Sequence, residues 1–97
     1  MTSQIGMDQI AAFARDSEGW MISGNTIKKT FTFPTFPDAV KFIHDIVPSA
    51  EGMDHHPDLQ VIYNKVVVTL WTHDVGGVTK LDLALAAKVD HVFHSPL

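Results

Sequence analysis

Leu59-Gln-Val-Ile-Tyr-Asn64 and, one residue on, Val66-Val-Val-Thr-Leu-Trp-Thr-His73 are the two runs whose reading decides the fold of this chain. Both are rich in the β-branched and aromatic residues that suit a pleated, half-buried surface. Successive side chains alternate along a strand, so Val67, Thr69, Trp71 and His73 share one face and Val66, Val68, Leu70 and Thr72 the other. Two such strands joined this closely form an antiparallel hairpin.

Upstream the same pattern recurs. Trp20-Met21-Ile22 and Thr26 to Phe33 are strand-like, with Ser23-Gly24-Asn25 as the turn between them and Pro34 as the stop. Before this hairpin, Ile10, Phe13 and Ala14 recur at helical spacing and predict a short helix over Asp8 to Arg15, ended by the polar, glycine-terminated run Asp16 to Gly19. Between the hairpins, Thr35-Phe36-Pro37-Asp38 is a helix start: a capping hydroxyl, a proline tolerated in the first turn, and an acid at the positive end. Phe36, Val40, Ile43, Val47 and Ala50 predict one buried stripe along this helix. Pro48 predicts a kink or break, with helix resuming towards Met53, because an interior proline loses a hydrogen bond and clashes with the preceding turn. After the loop at Gly76-Gly77, Thr79 caps a last helix from about Lys80 to Phe93, with Asp82 as the acid of a capping box. Helix, hairpin, helix, hairpin, helix predicts the α+β class: a four-stranded antiparallel sheet with three helices packed on one face.

Composition narrows the function. The 97 residues predict one domain over 1–97, small enough that oligomerisation would supplement the core. The absence of cysteine excludes a disulfide framework and thiolate chemistry, and suits a cytoplasmic setting. With 7 basic against 11 acidic residues, and no basic cluster beyond Lys28-Lys29, the footprint of a nucleic-acid partner is missing. The start, MTSQIGMDQIAAF, lacks the basic and apolar regions of a signal peptide, and no apolar run approaches the ~20 residues of a membrane span.

Six histidines are many for this length. His44, His91 and His94 fall on helix surfaces or the tail and read as bystanders. His55-His56-Pro57 lies at a helix-to-strand junction, and His73 at a strand end where loops meet. Adjacent histidines in an extended segment point to opposite sides, and Pro57 biases His56 to that conformation, so the spacing suits lining a pocket better than gripping one metal ion. Proton transfer is the other use, since histidine titrates near pH 6.5 and neighbouring rings can act as acid and base. A purely structural set, capping and bridging, fits the residues equally well at this point.

The segment from Glu51 to Asp82 resembles the pterin-4a-carbinolamine dehydratase family. An acidic residue, Glu51, precedes His55-His56-Pro57 with three residues between; Tyr63 follows after five intervening residues, His73 after nine more and Asp82 after eight more. Gly19-Trp20 and Phe31-x-Phe33 upstream are similar to the family as well, so the likeness runs from about Trp20 to Val92. Val78, where members usually have Leu, and Pro48 depart from the pattern.

The resemblance implies the fold read above, a homodimer or homotetramer, and removal of water from a 4a-hydroxytetrahydropterin to give a quinonoid dihydropterin. It implies no metal and no cofactor, the pterin being the substrate, and a functional link to an aromatic amino acid hydroxylase. His55, His56 and His73 become the catalytic set, His55 and His73 in acid-base roles and His56 orienting the pterin. Pro57, Thr72 and Asp74 join all three histidines in binding. Glu51, Asp54 and Asp82 support them, although for Asp82 helix capping is a sufficient explanation. Trp20, Tyr63 and Trp71 are candidates for stacking on the flat ring, against the commoner use of strand aromatics as core. The rival reading is a non-catalytic dimerisation module of the same fold, which some animal relatives also serve as.

Overall fold

The computed structural model describes residues 5–95. The expectations of one domain over 1–97 and of a start without a signal peptide extend to residues outside those described. Three helices, α1 (Met7–Asp16), α2 (Phe36–Met53) and α3 (Lys80–His94), alternate with two hairpins, β1 (Met21–Ser23) with β2 (Thr26–Thr32) and β3 (Asp58–Ile62) with β4 (Lys65–Leu70). The strands form one antiparallel sheet in the order β1-β2-β4-β3. This is the α+β arrangement that the sequence pattern predicts.

The alternation of β2 and β4 makes the core. Ile27 and Phe31 of β2 and Val66, Val68 and Leu70 of β4 are buried on one face. They form one cluster with Ala39, Phe42 and Ile46 of α2 and Leu85, Ala86 and Val89 of α3. Phe31 is its centre, with ring centroids 4.9 Å from both Phe42 and Phe93 and 6.2 Å from Trp20. Truncating such a residue to alanine typically costs about 3–5 kcal/mol.

Helix α2 corrects two expectations. Its buried residues are Ala39, Phe42, Ile46 and Ala50, whereas Phe36, Val40 and Val47 remain 49%, 45% and 47% exposed. The helix carries two apolar stripes with the same period, and the sheet takes the one bearing Phe42 and Ile46; of the predicted stripe only Ala50 is fully buried. Nor does Pro48 break the helix, which runs without interruption to Met53. The missing proline hydrogen bond is local, whereas Ile46 and Ala50 anchor the turns on both sides of it in the core.

The helix starts match their signals. Thr35 Oγ1 accepts from the Asp38 N–H at 3.2 Å, and Thr79 and Asp82 complete a reciprocal capping box. At the other end of α2, Asp54 takes left-handed backbone (φ 49°) and its N–H closes the last turn on Ala50 and Glu51. This sharp exit sends His55, His56 and Pro57 across to the start of β3. Among the described residues no helix is long and apolar enough to cross a membrane.

Candidate active site

Four pieces of chain converge beside the end of the β3–β4 hairpin: the C-terminal turn of α2, the His55–Pro57 link, the turn after β4, and the first turn of α3. The turn after β4 is fixed by its own backbone. Thr72 pairs with Gly77 in a bridge, its N–H donating to the Gly77 carbonyl at 2.9 Å, and the Gly76 N–H donates back to the Thr72 carbonyl at 3.0 Å. Gly76 has φ 67°, a conformation that a side chain disfavours. Asn25 of the other hairpin holds the Gly76 carbonyl at 2.8 Å. Thr72 is buried, as the strand alternation predicts, and the turn leaves both His73 and Asp74 exposed.

Asp82 is the centre of the buried part. Its carboxylate has no exposure to solvent, and Thr79, Thr72 and His55 around it are buried too. Oδ2 accepts the Thr79 N–H at 2.8 Å and the Thr72 hydroxyl at 2.9 Å; Oδ1 lies 2.6 Å from His55 Nε2. The Thr72 hydroxyl has one proton and spends it on Asp82, so in the 2.8 Å contact between the two threonines Thr79 is the donor. Thr79 Oγ1 also accepts the Leu81 N–H. A carboxylate that is ionised can only accept, which puts the His55 proton on Nε2 and leaves Nδ1 as the free nitrogen. Among the described residues Nδ1 has no hydrogen-bond partner, and no buried side-chain nitrogen or oxygen lacks one, so Nδ1 reaches the pocket. Asp82 is therefore both the helix cap expected of it and the anchor of a histidine.

The rim is looser. His56 Nε2 is 2.6 Å from Glu51 Oε2, with both side chains more than half exposed. His73 is exposed and lies against the Trp71 indole, ring centroids 3.9 Å apart and 26° between planes. Trp71 Nε1–H donates to Asp58 Oδ2 at 2.8 Å.

These segments line an open pocket of about 390 Å³, a size suited to a small flat heterocycle. All six residues expected to bind, His55, His56, Pro57, Thr72, His73 and Asp74, line it, and so does Asp54. Glu51 and Asp82 stand behind the lining, each holding a histidine. Among the described residues no group of three or more His, Asp or Glu side chains is arranged to hold a metal ion. Asp58 and Trp71 also line the pocket. Asp58 carried no signal in the sequence beyond being next to Pro57. Of the aromatic candidates, Trp20 is buried in the core with its indole N–H on Asp90, and Tyr63 is 71% exposed at the hairpin turn, so neither lines the pocket. His44, His91 and His94 are on the surface; His91 lines a separate hollow of about 450 Å³ floored by Phe33, Phe42 and Phe93.

Comparison with known proteins identifies the family. The family model described as pterin 4 alpha carbinolamine dehydratase matches residues 3–92. A Sulfurisphaera tokodaii protein provisionally named pterin-4-alpha-carbinolamine dehydratase is 51% identical over 75 residues, 77% of this chain and 81% of the relative. A Prochlorococcus marinus protein with the same provisional name is 42% identical over 95 residues, 98% of this chain and all of the relative. Among solved structures, the transcriptional coactivator/pterin dehydratase from Brucella melitensis superposes with a TM-score of 0.86 at 34% identity, covering 92% of this chain and 97% of that one. A pterin dehydratase-like protein identified as a RuBisCO assembly factor in the alpha-carboxysome shares the fold, with a TM-score of 0.67 at 23% identity, over 81% of this chain and 94% of that one. The chain belongs to the pterin 4 alpha carbinolamine dehydratase family.

Proposed function

We propose that this protein dehydrates a 4a-hydroxytetrahydropterin to a quinonoid dihydropterin and water. The observation that carries the reading is His55, anchored through Nε2 on the fully buried Asp82, opening its other nitrogen into a pocket that His56 and His73 also line. In the reaction the bond between carbon 4a and its hydroxyl oxygen breaks, and that oxygen leaves as water after gaining a proton. The adjacent ring nitrogen loses its proton, and its electron pair forms the new double bond to carbon 4a. One proton is supplied and one removed, so the protein needs an acid and a base, each near neutrality, and no external oxidant or reductant.

His55 is the base in this reading. Fixing the proton on Nε2 leaves the Nδ1 lone pair to accept one from the substrate, the role that a buried aspartate gives a histidine in hydrolytic triads. His73, exposed in the lining of the same pocket, supplies the proton to the departing hydroxyl. His56 is held by Glu51 at the rim and orients the pterin, with Pro57, Thr72 and Asp74 shaping the rest of the pocket. No metal or cofactor takes part in these steps.

A homodimer or homotetramer in the cytoplasm belongs to the same proposal, with an aromatic amino acid hydroxylase as the source of substrate. Support for self-association comes from two apolar surfaces. Strand β3 is an edge strand with Leu59, Val61 and Ile62 exposed, and α2 presents Phe36, Val40 and Val47 outward. These surfaces are also what a non-catalytic interaction module would use.

The test is dehydration of enzymatically generated 4a-hydroxytetrahydropterin, followed by ultraviolet absorbance with chelator present. The expected outcome is acceleration over the spontaneous reaction that falls by about 10²–10⁴-fold in His55→Ala and His73→Ala. A folded protein with no acceleration would remove the enzyme reading in favour of the interaction module.

A further inference from the structure

His73 differs from the other two pocket histidines in how it is held. His55 and His56 each meet a carboxylate at 2.6 Å, whereas the carboxylate oxygen nearest His73 Nε2, Asp58 Oδ1, is 4.0 Å away. That is beyond hydrogen-bond distance. What fixes the ring is Trp71, stacked on its face. Trp71 is itself tied down, because its indole N–H donates to the other oxygen of the same Asp58 carboxylate at 2.8 Å.

The sheet register produces this arrangement. Asp58 is paired across the ladder with Thr69. Trp71 follows Thr69 two residues along the same face, which makes it the diagonal neighbour of Asp58, and His73 follows two residues further. One carboxylate at the first position of β3 therefore reaches both aromatic rings at the end of β4. It uses Oδ2 for the indole and turns Oδ1 towards the imidazole.

We infer that Asp58 and Trp71 form a clamp that positions His73 for proton transfer, Trp71 against the face of the ring and Asp58 at its edge. Both are positioning residues for His73. The clamp compensates for exposure: the His73 side chain is 61% accessible, and an unheld imidazole on a turn would sample several rotamers. With one face covered by indole, the substrate meets the ring from its free face or edge. Asp54, His55, His56 and Asp74 are the other titratable groups around the same pocket. The kinetic consequence of the clamp rests on the dehydratase reading; its geometry does not.

The experiment uses the full chain with Asp58→Leu, Asp58→Asn and His73→Ala, and two readouts. The first is kcat and KM for dehydration of 4a-hydroxytetrahydropterin. The second is the change in tryptophan fluorescence between about pH 5 and pH 8, the interval in which histidine changes charge. A stacked imidazolium quenches indole emission. Of the two tryptophans, only Trp71 is stacked on a histidine, whereas Trp20 packs against Phe13 and Phe31. His73→Ala therefore abolishes the change and serves as the reference.

Asp58→Leu is expected to lower kcat by about 10–100-fold with KM within about threefold, since misplacing a reacting group by about 1 Å costs on this order. It is also expected to lose at least about half of the fluorescence change, because the indole is no longer held. Asp58→Asn keeps an oxygen for the indole N–H, so the fluorescence change persists while kcat falls by a smaller factor. Asp58→Leu with an unaltered fluorescence change would overturn the clamp, as would a variant that loses only thermal stability. If the unmodified protein fails to accelerate dehydration, the proposed function falls and the fluorescence change still decides the clamp.

Discussion

Helix α3 sets two aspartates against the rest of the fold, Asp82 in its first turn and Asp90 about two turns later, and each joins elements far apart in sequence. Asp82 ties the α2–β3 junction to the turn after β4 through His55, Thr72 and Thr79. Asp90 ties the first hairpin to the helix: Oδ1 meets Lys29 Nζ at 2.8 Å and Oδ2 accepts the Trp20 indole N–H at 2.8 Å. Lys29 is mostly buried and lies 4.8 Å from the Phe31 ring centroid. Gly19 makes room for it, since a Cβ there would come within 2.9 Å of the Lys29 chain. Both networks are polar, largely desolvated and satisfied. They differ in the chemistry of the partner. An ammonium and an indole N–H keep their protons in neutral water, so the Asp90 network is a fastener. Imidazole as a group exchanges its proton near neutrality, and on the proposed function the Asp82 network, built to the same standard, holds the base.

The largest expected effect separates the two directly. Asp82→Asn keeps an amide oxygen for the Thr79 N–H and the Thr72 hydroxyl but turns an NH2 towards His55 Nε2, which opposes the Nε2–H and releases the His55 tautomer. Dehydratase kcat is expected to fall by about 10²–10⁴-fold. Circular dichroism and chemical denaturation should show a folded protein that is weaker by about 1–3 kcal/mol. An Asp82→Asn variant with normal kcat would collapse the distinction drawn here.

The converse is Asp90→Asn. It leaves the lysine ammonium without its charge partner and should cost about 1–3 kcal/mol in urea unfolding. Its kcat should stay within about twofold at a temperature where the protein is folded. A large loss of kcat would mean that the first hairpin and the site are coupled, through Asn25 and Gly76 for example.

The double replacement Lys29→Met with Asp90→Leu sharpens the point. Removing both charges together avoids an unpaired buried charge but takes the acceptor from the Trp20 indole N–H, so the pair should recover only part of the stability lost in Asp90→Asn. On the proposed function the same strategy fails at Asp82, where the partner is the base.

The smallest effect belongs to Glu51→Gln. Its contact with His56 is as short as that of Asp82 with His55, yet both side chains are more than half exposed. Solvent and salt screen such a pair, so unfolding stability should change by less than about 0.5 kcal/mol. Any effect should appear as a rise of a few-fold in KM, consistent with His56 orienting rather than reacting. Burial, not distance, ranks the two pairs.

Much of this protein was legible in its sequence. The period-two runs ending at His73 gave the second hairpin, Gly24-Asn25 the first, and Thr35 and Thr79 the starts of α2 and α3. His55, His56, Pro57, His73 and Asp74 could be gathered from their place at chain junctions and from the family spacing, because turns and strand ends determine locally which side chains are presented. What periodicity could not decide was which of two equivalent stripes on α2 would be covered: Phe42 and Ile46 are in the core, and Phe36, Val40 and Val47 are outside. Nor could it show that a break at Pro48 would be overridden. The long-range side-chain partnerships that tie the elements together were also out of reach. His55 meets Asp82 across 27 residues, Asp58 meets Trp71 across 13, and Lys29 meets Asp90 across 61. Local rules operate over one turn or one strand pair, and they fix what each residue can offer. Which offers meet is set by strand register and by how the helices dock on the sheet, and those are properties of the whole packed core.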